Sequence, residues 1–291
     1  MDGQRIADIH HHVFPPERPV HRWDIDTDWR DMQDCGVTDV ILSCPLETDH
    51  AFAHQMNLFL SRQVSENPRH YRMLGALAYD DVPAALEEIA FVMDELHAAG
   101  FGINTHNGAV YMGNDSLNPI FEELNRRGAV VFLHPCHQRA PGNEKILFTG
   151  NDSVYEYTFD TTRAVMDFVF QDKVKRWPRI RWILAHAGGT IPFLAHRMAI
   201  SGRWGCIRQD EEEILRALKS FYYDLTLNAA EENYRFMKQF AGADHLLFGS
   251  DYPSCDKTIL ADSLRALQET EAFTPEEKWQ ILYGTASQLL G

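Results

Sequence analysis

The chain has 291 residues, is 45% hydrophobic and carries a formal net charge of −15. That length accommodates either two ordinary domains or one α/β barrel, and we expect a single domain over 1–291. An acidic chain without a basic run excludes nucleic acid and anionic membrane surfaces as natural partners.

Taken in chain order, short apolar runs of the kind that form fully buried strands occur at 5–12 (RIADIHHH), 38–44 (TDVILSC), 73–80 (MLGALAYD) and 100–106 (GFGINTH). Four more follow at 129–135 (AVVFLHP), 181–188 (RWILAHAG), 221–227 (FYYDLTL) and 245–253 (HLLFGSDYP). In the first run, strand alternation sends His10 and His12 to one side and His11 to the other. Helical spacing separates the runs, as at 82–100 and at 118–128, where Asn118 reads as an N-cap, Pro119 as the first helical residue and Gly128 as the stop. Eight apolar strands alternating with helices imply a parallel sheet covered on both faces, and eight such units fit a (β/α)8 TIM barrel. The competing doubly wound open sheet usually carries a Gly-rich first turn, which is absent. The long irregular stretch 136–160 follows the C-terminal end of a strand, the face where a barrel builds its active site.

Five cysteines (Cys35, Cys44, Cys136, Cys206, Cys255) are scattered, odd in number and form no CxxC pair, which argues for a reducing compartment. With no leader-like N-terminus and no apolar stretch of membrane-spanning length, a soluble cytoplasmic protein is expected.

The informative signal is where polar residues fall. His10 and His12 end the first run, His134 the fifth, His186 the sixth and Asp251 the eighth, each after a stretch too apolar to favour a charge or an imidazole. Singly, each reads as a hydrogen-bonded core residue or a turn former. In a barrel all five converge on one mouth, and imidazoles with a carboxylate suit zinc, with manganese or iron(II) as alternatives.

The motifs DIHHHVFPP (8–16), FLHP (132–135), FDTTRAV (159–165), AHAGGTIPFLAHR (185–197) and LLFGSDYP (246–253) resemble those of the amidohydrolase superfamily. The resemblance is to its amidohydrolase-2 branch, which includes aminocarboxymuconate-semialdehyde decarboxylase and related aromatic-acid decarboxylases. It implies that His10, His12, His134 and Asp251 bind one divalent metal and leave a position open for water. It also implies that His186 is the acid/base histidine, with Asp251 as the other group able to take the water's proton. Arg197 would pair with a substrate carboxylate, which suits its two-pronged fork. A homodimer is expected on the same ground. Two departures refine this. The fourth run, GFGINTHNG, lacks the lysine that bridges two metals in many relatives, so one metal is expected. The first run has H-x-H rather than E-x-H, and Gly188-Gly189 stand where some benzoate-type enzymes carry an acid, which favours zinc over manganese.

The function implied is nonoxidative decarboxylation of a small aromatic or unsaturated carboxylic acid, by metal-bound water with His186 as acid/base. A metal-dependent hydrolase of a lactone, C–C or amide bond would use the same mononuclear site. A non-catalytic metal-binding protein, the third reading, would leave the acid/base histidine without a purpose. Of the remaining candidates, His106 and Asn107 could face substrate or merely bond their loop, and Asp224 or Asn228 could orient a ligand histidine. Phe148, Tyr155 and Tyr157 could wall a pocket. Cys136 is the one cysteine expected near the site and lacks a nucleophile's partners, and Glu211–Glu213 reads as the start of a helix.

Overall fold

The structure is a computed structural model describing residues 5–15, 24–44, 46, 49–136 and 151–291. Each of the eight expected runs carries a strand: β1 Ala7–His12, β2 Asp39–Ser43, β3 Tyr71–Met73 and Gly75–Ala76 on either side of Leu74, and β4 Gly100–Asn104. They continue as β5 Val130–His134, β6 Arg181–Leu184, β7 Tyr222–Asp224 and β8 Leu246–Leu247. All pair in parallel, in the order of the sequence. The circle closes where the Ile9 N–H donates to the Phe248 carbonyl at 3.2 Å and the Asp251 N–H to the His10 carbonyl at 2.8 Å. With helices between the strands, this is the TIM barrel expected from the run pattern.

Alternation sorts the strand side chains into two buried clusters. Val40, Leu42, Phe101, Val131, Leu133, Leu184 and Tyr223 face the helices. Ala7, Ile9, Ile41, Leu74, Val130, Phe132, Ile183 and Leu247 fill the barrel interior, and Ala286 and Leu289 of the C-terminal helix Thr285–Leu290 belong to the same cluster. Gly100 lets β4 and β5 approach, because a Cβ there would lie 1.8 Å from the Val130 carbonyl oxygen.

β1 departs from strict alternation. Ala7 pairs with Asp39 and Asp8 with Val40, yet His11 pairs with Leu42, so Ile9 and His10 together oppose Ile41. This bulge reverses the parity of the strand. Ile9 points inward, and so do His10 and His12 beyond it, while His11 turns toward the helices.

Two helix expectations are adjusted. The segment expected over 82–100 is an α-helix, Val82–Ala90, that widens into the five-residue turn Phe91–Glu95. The helix Asn118–Arg127 has Leu117 at its cap position, and Asn114 instead caps the preceding turn by accepting the Ser116 N–H at 3.0 Å. Gly128 ends that helix with φ +65°, as expected.

Candidate metal centre

His10 and His12 from β1, His134 from the end of β5 and Asp251 after β8 meet at the C-terminal mouth. One ligand atom from each lies within 4.8 Å of the others, the three histidines are buried with Asp251 slightly exposed, and it is the one such group among the described residues. The fifth residue of the sequence pattern, His186, stands beside the group with its ring 4.9 Å from that of His10.

The hydrogen bonds fix which nitrogen each histidine offers. His10 Nδ1 donates to Asp224 Oδ2 at 2.8 Å, His12 Nδ1 to Ser43 Oγ at 3.1 Å and His134 Nδ1 to the Pro135 carbonyl at 2.9 Å. Ser43 spends its own proton on the His11 carbonyl (3.0 Å), so it can only accept from His12. Three Nε2 lone pairs are therefore aimed at one point. His10 Nε2 and His12 Nε2 are 3.1 Å apart, and Asp251 Oδ1 is 3.5 and 3.3 Å from them. Two lone pairs facing at that distance need a proton or a metal ion between them, and nitrogen and oxygen donors in this number suit a divalent metal. The Asp224 and Asp251 carboxylates supply two negative charges beside three imidazoles, which a divalent ion would cancel.

Without a metal, the protons redistribute. Burial opposes charging His10, but Asp224 and then Asp251 outweigh it and raise its pKa to about 10. Burial lowers His12 to about 4 and pushes His134 well below its ordinary value. Burial alone would raise Asp251, yet bonds from His10, His12 and His186 hold it well below the usual carboxylate range. Asp224 is also held low by His10 against the effect of burial.

Asp224 does more than orient His10. Its Oδ1 accepts the backbone N–H of His186 at 2.9 Å and of Thr226 at 3.0 Å, so one buried carboxylate ties β1, the turn after β6 and the end of β7 together. His186 Nδ1 is buried without a partner, and its Nε2 lies 3.7 Å from Asp251 Oδ2. His186, Ala187, Leu227 and Asp251 all have φ between +54° and +60°. A left-handed conformation costs a non-glycine residue about 1–2 kcal/mol, and such strain gathers at functional sites.

His11 is a helix-side residue. Its Nε2 is 2.7 Å from Asp28 Oδ2 in the helix Ile25–Asp34 and its Nδ1 is 3.1 Å from Asp8 Oδ2. Burial opposes its charge, but Asp28 and Asp8 raise its pKa to about 10. Asp8 also accepts the Ser250 N–H at 3.0 Å, linking β1 to the turn that carries Asp251.

A cavity of about 690 Å³ opens beside the four ligands, reaching His12, His134, His186 and Asp251. Its walls are Phe14, Leu46, Val154, Tyr157, Leu227 and Ile259, with neutral polar groups from Asn151, Ser153, Thr158, Thr226, Asn228 and Ser254. No Arg or Lys lines it among the described residues. Of the expected 136–160 loop, residues from 151 onward line the cavity, although Glu156–Phe170 is a helix, and 137–150, with Phe148, lies outside the described residues.

Several expectations are corrected. Arg197 is not brought to the cavity of its own chain. The helix Ile191–Ala199 buries Ile191, Ala195 and Met198, which leaves Arg197 on the opposite face, its guanidinium 5.8 Å from the Trp204 ring centre. Cys255, not Cys136, is the cysteine in the cavity, with Sγ 3.8 Å from Asp251 Oδ2 and its thiol pushed up to about 12 by burial and then by that carboxylate. Asn228 bonds the Thr226 carbonyl and orients no ligand. His106 bonds the Gly108 carbonyl at 2.9 Å in its loop. Tyr157 lines the cavity and Tyr155 does not. Glu211–Glu213 opens a helix as expected, Glu211–Lys219, capped by Asp210 and Glu213. Sequence reading missed Ser43 and Asp8, although Asp8 stands in the DIHHH motif.

Known proteins agree with this architecture. The chain is 30% identical to a 6-methylsalicylic acid decarboxylase of Penicillium expansum over 313 residues, covering 97% of this chain and 95% of that protein. It is 28% identical to the decarboxylase yanB of Aspergillus niger, covering 90% of this chain and 80% of that protein. Its fold matches a dihydroxybenzoic acid decarboxylase of Polaromonas sp. JS666, solved with bound manganese and 2-nitroresorcinol, at a TM-score of 0.84 and 20% identity over 99% of this chain and 97% of that one. The model of the amidohydrolase family Amidohydro_2 matches residues 7–291, from the start of β1 to the last residue, and the chain belongs to that family.

Proposed function

We propose that the protein is a metal-dependent, nonoxidative decarboxylase of a small aromatic carboxylic acid. The observation that carries this is His186, a buried imidazole with an unpartnered Nδ1 that stands beside a four-donor metal cluster and lines the same cavity. The names of the fungal relatives support the same reaction class.

His10, His12, His134 and Asp251 would hold one divalent ion. Three imidazoles and a carboxylate favour zinc ahead of manganese or iron(II). When bound, the ion supplies Lewis-acid stabilisation to a substrate oxygen beside the reacting carbon. Asp224 and Ser43 keep the ligand histidines in the tautomer that leaves Nε2 free. His186, as general acid, delivers its proton to the ring carbon that bears the carboxylate. The bond from that carbon to the carboxylate then breaks, its electron pair restores the aromatic ring, and CO2 leaves. His186 regains its proton from solvent. Phe14, Leu46 and Tyr157 exclude water from the ring. Five free cysteines are in keeping with a cytoplasmic setting. Exposed Phe193 and Trp204 offer apolar surface to a homodimer.

The test is CO2 release by metal-loaded protein from a panel of salicylate-type and muconate-like acids, run beside a lactone panel. Chelator-sensitive CO2 release is the expected result. Lactone opening without CO2 release would overturn the proposal in favour of a hydrolase.

A further inference from the structure

The turn after β7 carries a side chain that the chemistry above does not use. The Asn228 N–H donates to the Leu225 carbonyl at 3.1 Å, and the Ala230 N–H to the Asn228 carbonyl at 2.8 Å. The turn is pinned to the barrel by the Leu225 N–H on the Leu247 carbonyl (2.9 Å) and the Thr226 N–H on Asp224 (3.0 Å). Between these bonds sits Leu227, with φ +57°. Such a position ordinarily takes glycine or asparagine.

Leu227 is also 54% exposed, so burial in the protein does not explain a leucine held against its backbone preference. What it does is line the cavity. Two other aliphatic side chains of the same cavity are exposed as well, Val154 at 70% and Ile259 at 40%. The lining thus combines three of the ligand residues and His186 with three solvent-exposed aliphatic side chains, Leu227, Val154 and Ile259. An alkyl group on the ring of a bound acid would bury apolar surface against such side chains.

We infer that Leu227 is a specificity-determining residue that selects an acid carrying an alkyl substituent on its ring. The inference rests on the aromatic-acid reading above and identifies which feature of the substrate the cavity reads.

The test compares wild type, Leu227→Ala and Leu227→Gly, each as full-length, metal-loaded protein, with 2-hydroxy-6-methylbenzoate and 2-hydroxybenzoate. Wild type should prefer the methylated acid. Both variants should lose about tenfold of that preference, read as the ratio of kcat/KM for the two acids. The Gly variant should melt above the Ala variant, since only glycine adopts the left-handed φ freely. That difference separates folding from selectivity. A preference kept in both variants, or an equal loss for the two acids, would overturn the inference. Equilibrium binding of the two acids reads the same ratio without turnover. A binding preference lost in both variants, with no CO2 from either acid, would refute the decarboxylase reading and uphold the role of Leu227. CO2 release with an unchanged preference would refute Leu227 alone.

Discussion

Replacing Asp224 by asparagine perturbs the metal cluster without touching a ligand. Asp224 receives three N–H groups: the His10 ring at 2.8 Å and the backbones of His186 and Thr226 at 2.9 and 3.0 Å. An asparagine keeps the shape and one acceptor oxygen. That oxygen can serve the two backbone groups, which turns the new NH2 toward His10 Nδ1. Donor then faces donor, and His10 relieves the conflict by moving its proton to Nε2, the nitrogen the metal needs. Loss of such an outer partner costs roughly 10–100-fold in metal affinity, or about 1.4–2.8 kcal/mol. Loss of the negative charge acts in the same direction. The assay is competitive titration of wild type and variant against a chelator of known affinity. A variant that bound metal within about twofold of wild type would refute this account of how His10 is oriented.

Ala at His10, His12, His134 or Asp251 should strip the metal, whereas Ala at His186 should keep it and lose turnover, as read by elemental analysis beside a rate assay. Gly249→Ala should lower metal occupancy, because its Cβ would sit 2.5 Å from the Cβ of His10 and 2.4 Å from Thr226 Oγ1; full occupancy would show that β1 gives way freely. His11 has a folded pKa of about 10, above the unfolded value of about 6.5, so its charge contributes stability fully below pH 6.5 and loses it as pH rises toward 10. Melting curves should show this decline in wild type and a flatter profile in His11→Gln; identical slopes would argue against a charged His11.

Much of the architecture was legible because burial on both faces leaves a continuous apolar run, and polar residues at the ends of such runs are conspicuous. That logic located all eight strands and the residues from β1, β5 and β8 that meet at the mouth. The bulge in β1 was not legible. Strict alternation separates His11 from His10 and His12, as observed, but it also places Ile9 with His11, whereas Ile9 shares the interior with His10. The extra residue is written in the pairing of Asp8 and His11 with β2, a long-range property that local sequence does not carry. Asp224 could be named as an orienting residue because it ends an apolar strand, while Ser43 could not, since a serine there looks like ordinary turn chemistry. Arg197 illustrates a different limit: a motif marks it in the sequence, but its helix turns it away from the cavity of its own chain. Cys255 was overlooked because it lies four residues past Asp251, and only the turn between them brings its thiol back to that carboxylate.

Decarboxylation by this route puts a proton in place of the carboxyl group at the same ring carbon. Turnover of an accepted acid in D2O, followed by NMR and mass spectrometry of the product, tests it most directly. One deuterium is expected at the carbon that lost CO2, in the metal-loaded enzyme and not in His186→Ala. A product that retains its carboxyl carbon, or one deuterated elsewhere on the ring, would contradict it.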